Sequence, residues 1–214
     1  MIRAVIFDMD GLLTDSEAPG LTGIQVCGRL QGYEIPLEHV RRTIGINAKA
    51  ASDFYHQYYP GLDTDRLFAD FTEYMHALAR AGKIPLKKGA RELLKALRDR
   101  GIPCAVASSS YPETIRLYLE KQGVAEDFAA LVSANGETRS KPAPDIFLKA
   151  ARLLGAAPED CLVLEDSVNG VKAGRAAGMT VCMIPDLIPF TPELAAYCDH
   201  VLPDLTAVIP LVTA

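Results

Sequence analysis

The stretch Ile2-Arg3-Ala4-Val5-Ile6-Phe7-Asp8-Met9-Asp10-Gly11-Leu12-Leu13-Thr14-Asp15 decides the fold. A short apolar run, rich in β-branched and aromatic residues, stops at two acids one residue apart, and glycine follows. Nearly continuous apolarity over so few residues predicts a strand buried on both faces, the kind found in parallel sheets. The acids then stand at its C-terminal end, the edge where open α/β sheets bind ligands. Alternate side chains of an extended chain share a face. Asp8 and Asp10 therefore face one small site if extension persists past the strand, with Gly11 as the expected bend.

Two close carboxylates repel unless a cation or a proton sits between them. Magnesium is the natural cation, since it prefers hard oxygen ligands and keeps waters that a phosphate-bearing substrate replaces. A carboxylate is also a nucleophile able to carry an acyl-phosphate. Taken alone, the same stretch suits a strand followed by a solvated acidic turn.

The chain has 214 residues, 49% of them hydrophobic. That length fits one domain, or a core domain with a modest insertion, and buries roughly 70% of its unfolded surface without staples. A net charge of −5 argues against a general nucleic-acid binder, which needs a basic face. The five cysteines are odd in number and form no CxxC pair, and Cys104, Cys161 and Cys182 lie in or beside apolar runs. Buried thiols are the expectation, not disulfides or zinc ligands. No charged leader precedes a long apolar stretch, and no segment reaches about 20 apolar residues. A soluble cytoplasmic protein is expected, with neither nucleic acid nor membrane as partner.

After the opening strand, Thr14 to Pro19 reads as a linker, and from there to Ala81 the pattern is helical. Leu21, Ile24 and Leu30 mark one apolar face. A helix over Leu37 to Ile44 follows Pro36, Asn47 caps a helix through Tyr58, and Asp63 or Thr64 caps a long one from Asp65 to Ala81. Leu67, Phe68, Phe71, Tyr74, Met75 and Leu78 recur there at helical spacing. Gly82-Lys83-Ile84-Pro85 is the return linker. Strands and helices then alternate, which argues for a parallel sheet. Strands are expected at Pro103–Ala107, Leu131–Ser133, Cys161–Leu164, Thr180–Ile184 and His200–Leu202, and helices at Gly89–Arg100, Pro112–Gln122, Ala143–Leu154 and Val168–Ala177.

Three further stretches stand at strand ends. In Val106-Ala107-Ser108-Ser109-Ser110 a strand ends in three hydroxyls just before a helix, an arrangement suited to an anion and richer than one helix cap requires. In Glu137-Thr138-Arg139-Ser140-Lys141-Pro142 the lysine precedes proline, which keeps it out of a helix interior. Lys141 then projects from a turn as a point cation able to neutralise a phosphate. In Val163-Leu164-Glu165-Asp166-Ser167-Val168-Asn169-Gly170 a strand again ends in two acids. A parallel sheet sets this second pair on the edge that carries Asp8 and Asp10, where four carboxylates without a cation are strongly destabilising.

Acid pair, serine cluster, lysine-proline and second acid pair, in this order, with a helical insert after the first, resemble the haloacid dehalogenase superfamily over essentially the whole chain. The insert resembles the type-one cap of the β-phosphoglucomutase-like subgroup. The resemblance implies an α/β fold. It has a Rossmann-like three-layer core with a central parallel sheet over 1–15 and 84–214, and an all-helical cap over 16–83. It implies a magnesium-dependent phosphatase of small-molecule phosphate monoesters working through a phospho-aspartate. Asp8 matches the nucleophile, and Asp10 the general acid/base whose backbone carbonyl also binds metal. Ser108, helped by the Ser109 amide, matches the phosphate-binding hydroxyl. Lys141 matches the lysine shared by nucleophile and phosphate. Asp166 matches a magnesium ligand, with Glu165 its direct or indirect partner. The metal set is then Asp8, Asp10, Glu165 and Asp166.

The cap departs from the mutases of that subgroup. Their first-cap-helix histidine falls at Gly20, no histidine occurs before His39, and after Gly45 only Lys49 stands in for their loop arginine. Tyr111 and Pro112 occupy the place of an asparagine that helps hold the sugar phosphate. Phosphatase is therefore expected over phosphosugar mutase, with Gly45 and Lys49 as candidate substrate contacts. His56 and His76 are expected to be packed or solvated. A receiver-like phospho-acceptor or a silent binding protein is disfavoured, since the first lacks such an insert and no motif residue is missing. The partner is a small phosphorylated metabolite such as a sugar phosphate, and a monomer or weak dimer is expected.

Overall fold

The computed structural model describes residues 2–46, 48–134 and 139–213. Asn47, expected as a helix cap, and Glu137 and Thr138, at the start of the lysine-proline stretch, lie outside the described residues. The chain divides into two compact units, Met1–Asp15 with Pro85–Ala214, and Ser16–Ile84.

The first unit is built on β1 (Ala4–Phe7), whose four residues are all buried. It pairs in parallel on one side with β2 (Cys104–Ser108) and on the other with β4 (Cys161–Glu165). With β3 (Ala130–Ser133), β5 (Thr180–Met183) and β6 (His200–Val201), the described strands form one parallel sheet in the order β3-β2-β1-β4-β5-β6. The chain moves outward from β1 in one direction and then in the other, so the switch point lies at the C-terminal end of β1.

Two helices cover one face. α7 (Asp145–Leu154) buries Ile146, Phe147, Ala150 and Ala151, and α8 (Val168–Ala176) buries Val171 and Ala173. The α7 residues and Ala173 join Ala4, Ile6, Ala105, Ala107 and Val163 of the strands in one apolar cluster. Alternation turns Phe7 away from Ile6, and its ring meets Phe128 edge-on at 5.7 Å between centroids. Each such fully buried large side chain contributes about 1.5–3 kcal/mol of transfer free energy. α5 (Ala90–Asp99) shows the amphipathic spacing expected of it, burying Ala90, Leu93, Leu94 and Leu97. α6 (Pro112–Gln122) opens on proline and closes on Gly123, as its sequence suggests. A short α9 (Ile209–Thr213) follows β6; its five residues are too few to show a period in the sequence.

The second unit holds α1 (Glu17–Leu30), α2 (Leu37–Arg41), α3 (Ala48–Tyr58) and α4 (Thr64–Arg80). α1 starts inside the expected linker and carries Pro19 in its first turn, where a missing N–H costs no helical bond. α2 ends at Arg41, short of Ile44. Asp63 caps α4 by accepting from the Arg66 amide at 3.0 Å. Leu67 and Tyr55 are fully buried, with Phe68, Phe71 and Tyr74 packed around the same cluster. No helix of the described residues is long and apolar enough to cross a membrane.

Candidate active site

Sheet bonding persists beyond β1 to Asp8. The Asp8 amide still bonds the Leu164 carbonyl of β4 at 2.9 Å. Gly11 then takes φ 81°, a left-handed value glycine adopts without steric cost. The Leu13 and Thr14 amides turn back to the Met9 carbonyl at 2.9 Å, and the Thr14 hydroxyl donates to it at 3.2 Å. The tight loop aims the two aspartates at different neighbours. Asp8 faces Lys141. The Asp10 carboxylate accepts from the Ser110 hydroxyl at 2.7 Å and, more weakly, from that of Ser108 at 3.4 Å.

Three strand ends converge here. At the end of β2, Ser108 is buried and its Oγ accepts from the Ser110 amide at 3.0 Å. Ser133, closing β3, donates to the Ser110 carbonyl at 2.7 Å and steadies that turn. Ser109 is exposed beside them. Lys141 comes from the turn before α7, next to a cis Lys141–Pro142 peptide bond. Its Nζ donates to Asp8 Oδ1 at 2.5 Å, Glu165 Oε1 at 2.6 Å and the Ala107 carbonyl at 3.1 Å. The same ammonium lies 4.9 Å from the Phe147 ring centre. At the end of β4, Glu165 Oε2 accepts from the Asp166 and Ser167 amides and the Ser167 hydroxyl, each at 3.0 Å.

Oxygens of Asp8, Glu165 and Asp166 lie within 4.8 Å of one another, and all three residues are buried. At an effective dielectric of 20, each such charge pair repels by about 3.5 kcal/mol or more, and Lys141 is the ammonium seen bonded to two of them. Burial accordingly pushes the Asp8 carboxyl well above the usual carboxylate range, against the pull of Lys141 and with Glu165 and Asp10 adding to the rise. Lys141 is raised in turn, because Asp8 and Glu165 outweigh its own desolvation. An all-oxygen set with excess negative charge fits a hard divalent cation. The Asp10 carboxylate stands outside this trio, since the Gly11 turn commits it to the serines.

Gly45 and Lys49 belong to the helical unit. Gly45 is an exposed turn residue with φ 71°, and Lys49 bonds Asp53 one helical turn on at 2.7 Å. His76 is buried, and His56 meets the Thr64 hydroxyl at 3.4 Å. All five cysteines are free, and burial pushes the Cys104 and Cys182 thiols up to about 12, which keeps them un-ionised. Ser110 and Ser167 are not among the site residues that the sequence nominates; Ser167 is the N-cap of α8. The surplus of three serines after β2 was the one signal for the first.

The sequence profile of haloacid dehalogenase-like hydrolases matches residues 2–178. The chain belongs to this family. Hydrolases of this family include hexitol phosphatase B of Escherichia coli (strain K12), 32% identical over 86% of this chain and 84% of that protein. YhcW of Bacillus subtilis (strain 168) is 30% identical over 94% of this chain and 90% of its own length. Among solved structures, a haloacid dehalogenase family hydrolase from Deinococcus radiodurans R1, with bound phosphate and sodium, superposes with a TM-score of 0.75. It is 30% identical, over 97% of this chain and 93% of its own. The Rossmann-like parallel sheet is the fold these hydrolases share.

Proposed function

We propose that this chain is a magnesium-dependent phosphatase that hydrolyses small-molecule phosphate monoesters through a phospho-aspartate at Asp8, with residues 16–84 as its cap. The observation that carries the reading is the meeting of one ammonium and three carboxylates at the switch point of the sheet. Asp8 Oδ1 is held by Lys141, which leaves the other oxygen to attack phosphorus in line as the ester oxygen departs. Asp10 gives its proton to that leaving oxygen. It then takes a proton from a water whose oxygen attacks the phospho-aspartate, and inorganic phosphate and free Asp8 result. Ser108, the Ser109 amide and Lys141 hold the phosphoryl oxygens while these bonds change. Asp8 and Asp166 would hold magnesium within the cluster Glu165 completes, and the resemblance adds the Asp10 backbone carbonyl. The ion, when bound, neutralises phosphoryl charge and orients the group.

The likeness to hexitol phosphatase B supports a phosphorylated metabolite of sugar-phosphate size as substrate, and a cytoplasmic location is proposed with it. Gly45 and Lys49 are the cap positions proposed to meet it. A panel of phosphorylated metabolites with magnesium, followed for free phosphate and for isomers, tests the reading. Phosphate release is expected. Isomerised sugar phosphate without release would replace the phosphatase with a mutase.

A further inference from the structure

The first turn of α8 departs from the pattern its N-cap leads one to expect. A helix that opens on serine commonly carries Glu or Gln at its third position, which reaches back to the N-cap amide. The N-cap here is Ser167, whose Oγ accepts from the amide of Gly170, the third residue of the helix, at 3.0 Å. With glycine there, the N-cap amide is served from the other side, by Glu165 Oε2. Glu165 is fully buried, sits where the helix dipole favours an anion, and extends its second oxygen to Lys141 at 2.6 Å.

That carboxylate fills the space a side chain at 170 would need. A Cβ on Gly170 would lie 1.8 Å from both Cδ and Oε1 of Glu165, and 2.2 Å from Oε2. Gly170 is helical, outside the left-handed region, so its backbone does not call for glycine; the space does. Glu165 has no cheap retreat, because moving it gives up the bonds from Asp166, Ser167 and Lys141 in a buried site. One turn later, the nearest neighbours of a Cβ added at Gly174 are apolar side chains of the sheet, Val181 at 2.9 Å and Val163 at 3.2 Å.

We propose that Gly170 is a positioning residue. By leaving the seat that Glu165 occupies, it fixes the Lys141 ammonium on Asp8. The part it plays in turnover rests on the phosphatase reading, and the packing does not.

The test combines phosphate-release kinetics and thermal melts for Gly170→Ala, Glu165→Ala, the double variant and Gly174→Ala. Gly170→Ala should lower kcat about tenfold or more, the scale of a misplaced reacting group, while KM changes by less than about threefold. It should also lower Tm in the natural background. With Glu165 already alanine, the same change should leave Tm level or raise it, since alanine is the better helix former. Gly174→Ala should lower Tm and keep kcat within about twofold. Unchanged kcat in Gly170→Ala would overturn the proposal, as would an equal Tm loss in both backgrounds. If Gly170→Ala does not fold, a folded double variant supports the seat and an unfolded one refutes it. If the natural chain releases no phosphate from any ester, the phosphatase reading fails, and the Tm comparison still decides whether Gly170 acts through Glu165.

Discussion

Lys141 Nζ lies 2.5 Å from Asp8 Oδ1, although 133 positions separate the two residues along the chain. The sheet makes the meeting possible. β1 and β2 are neighbours, Asp8 leaves the end of one, and Lys141 also holds the Ala107 carbonyl within the other. The Lys141 side chain is 7% exposed, so water screens this pair far less than it screens the surface ion pairs.

Asp8→Asn keeps the shape of the side chain and removes its nucleophilic charge. Phosphate release should fall by on the order of 10³-fold or more, while circular dichroism stays that of the natural chain. Substantial remaining turnover would take Asp8 out of the nucleophile's role.

Asp10 is held by the Ser110 hydroxyl at 2.7 Å. Asp10→Asn should slow turnover about 10²-fold or more, the range of general acid–base catalysis. Ser110→Ala removes the hydroxyl that holds the Asp10 side chain and should lower kcat roughly tenfold. A Ser110→Ala enzyme with natural kcat would show that this contact does not orient the acid.

Chelation should silence the enzyme, and added magnesium should restore it. Asp166→Asn removes one carboxylate of the trio and should raise the magnesium needed for half-maximal activity about 10-fold or more. Turnover that persists in EDTA would dismiss the cation altogether.

The metal-free protein should carry a pH signature of Asp8. Burial raises its carboxyl well above 3.8, so between 3.8 and the raised value the folded chain binds more protons there than the unfolded chain. Stability then falls as pH rises through that window. Melts in EDTA should show Asp8→Asn equal to the natural chain near pH 4 and more stable at neutral pH, where its uncharged amide avoids the penalty. A natural chain that melts higher than Asp8→Asn at neutral pH without metal would contradict this assignment.

Much of this architecture was legible in the residues themselves. The apolar run before Asp8, and the similar runs at Cys104 and Cys161, are of the kind that strands buried on both faces of a parallel sheet carry. Pro112 and Gly123 punctuate α6 at both ends. Such signals act over a few positions, which is why a linear reading reaches them. The same reading put an acid pair at two strand ends, and with it the outline of a phosphate site.

The choice of partner within that outline was decided by the tertiary structure. By strand position and residue type alone, Asp8 and Asp10 look alike. The Gly11 turn sends one to Lys141 and the other to Ser110, and both neighbours lie 100 or more positions away. Gly170 reads as a poor helix former until Glu165 is seen in the space it leaves. Backbone periodicity and capping are short-range and survive in the linear order. Hydrogen-bond partners and buried charge balance depend on which strand ends the sheet sets side by side, and only the folded chain supplies that.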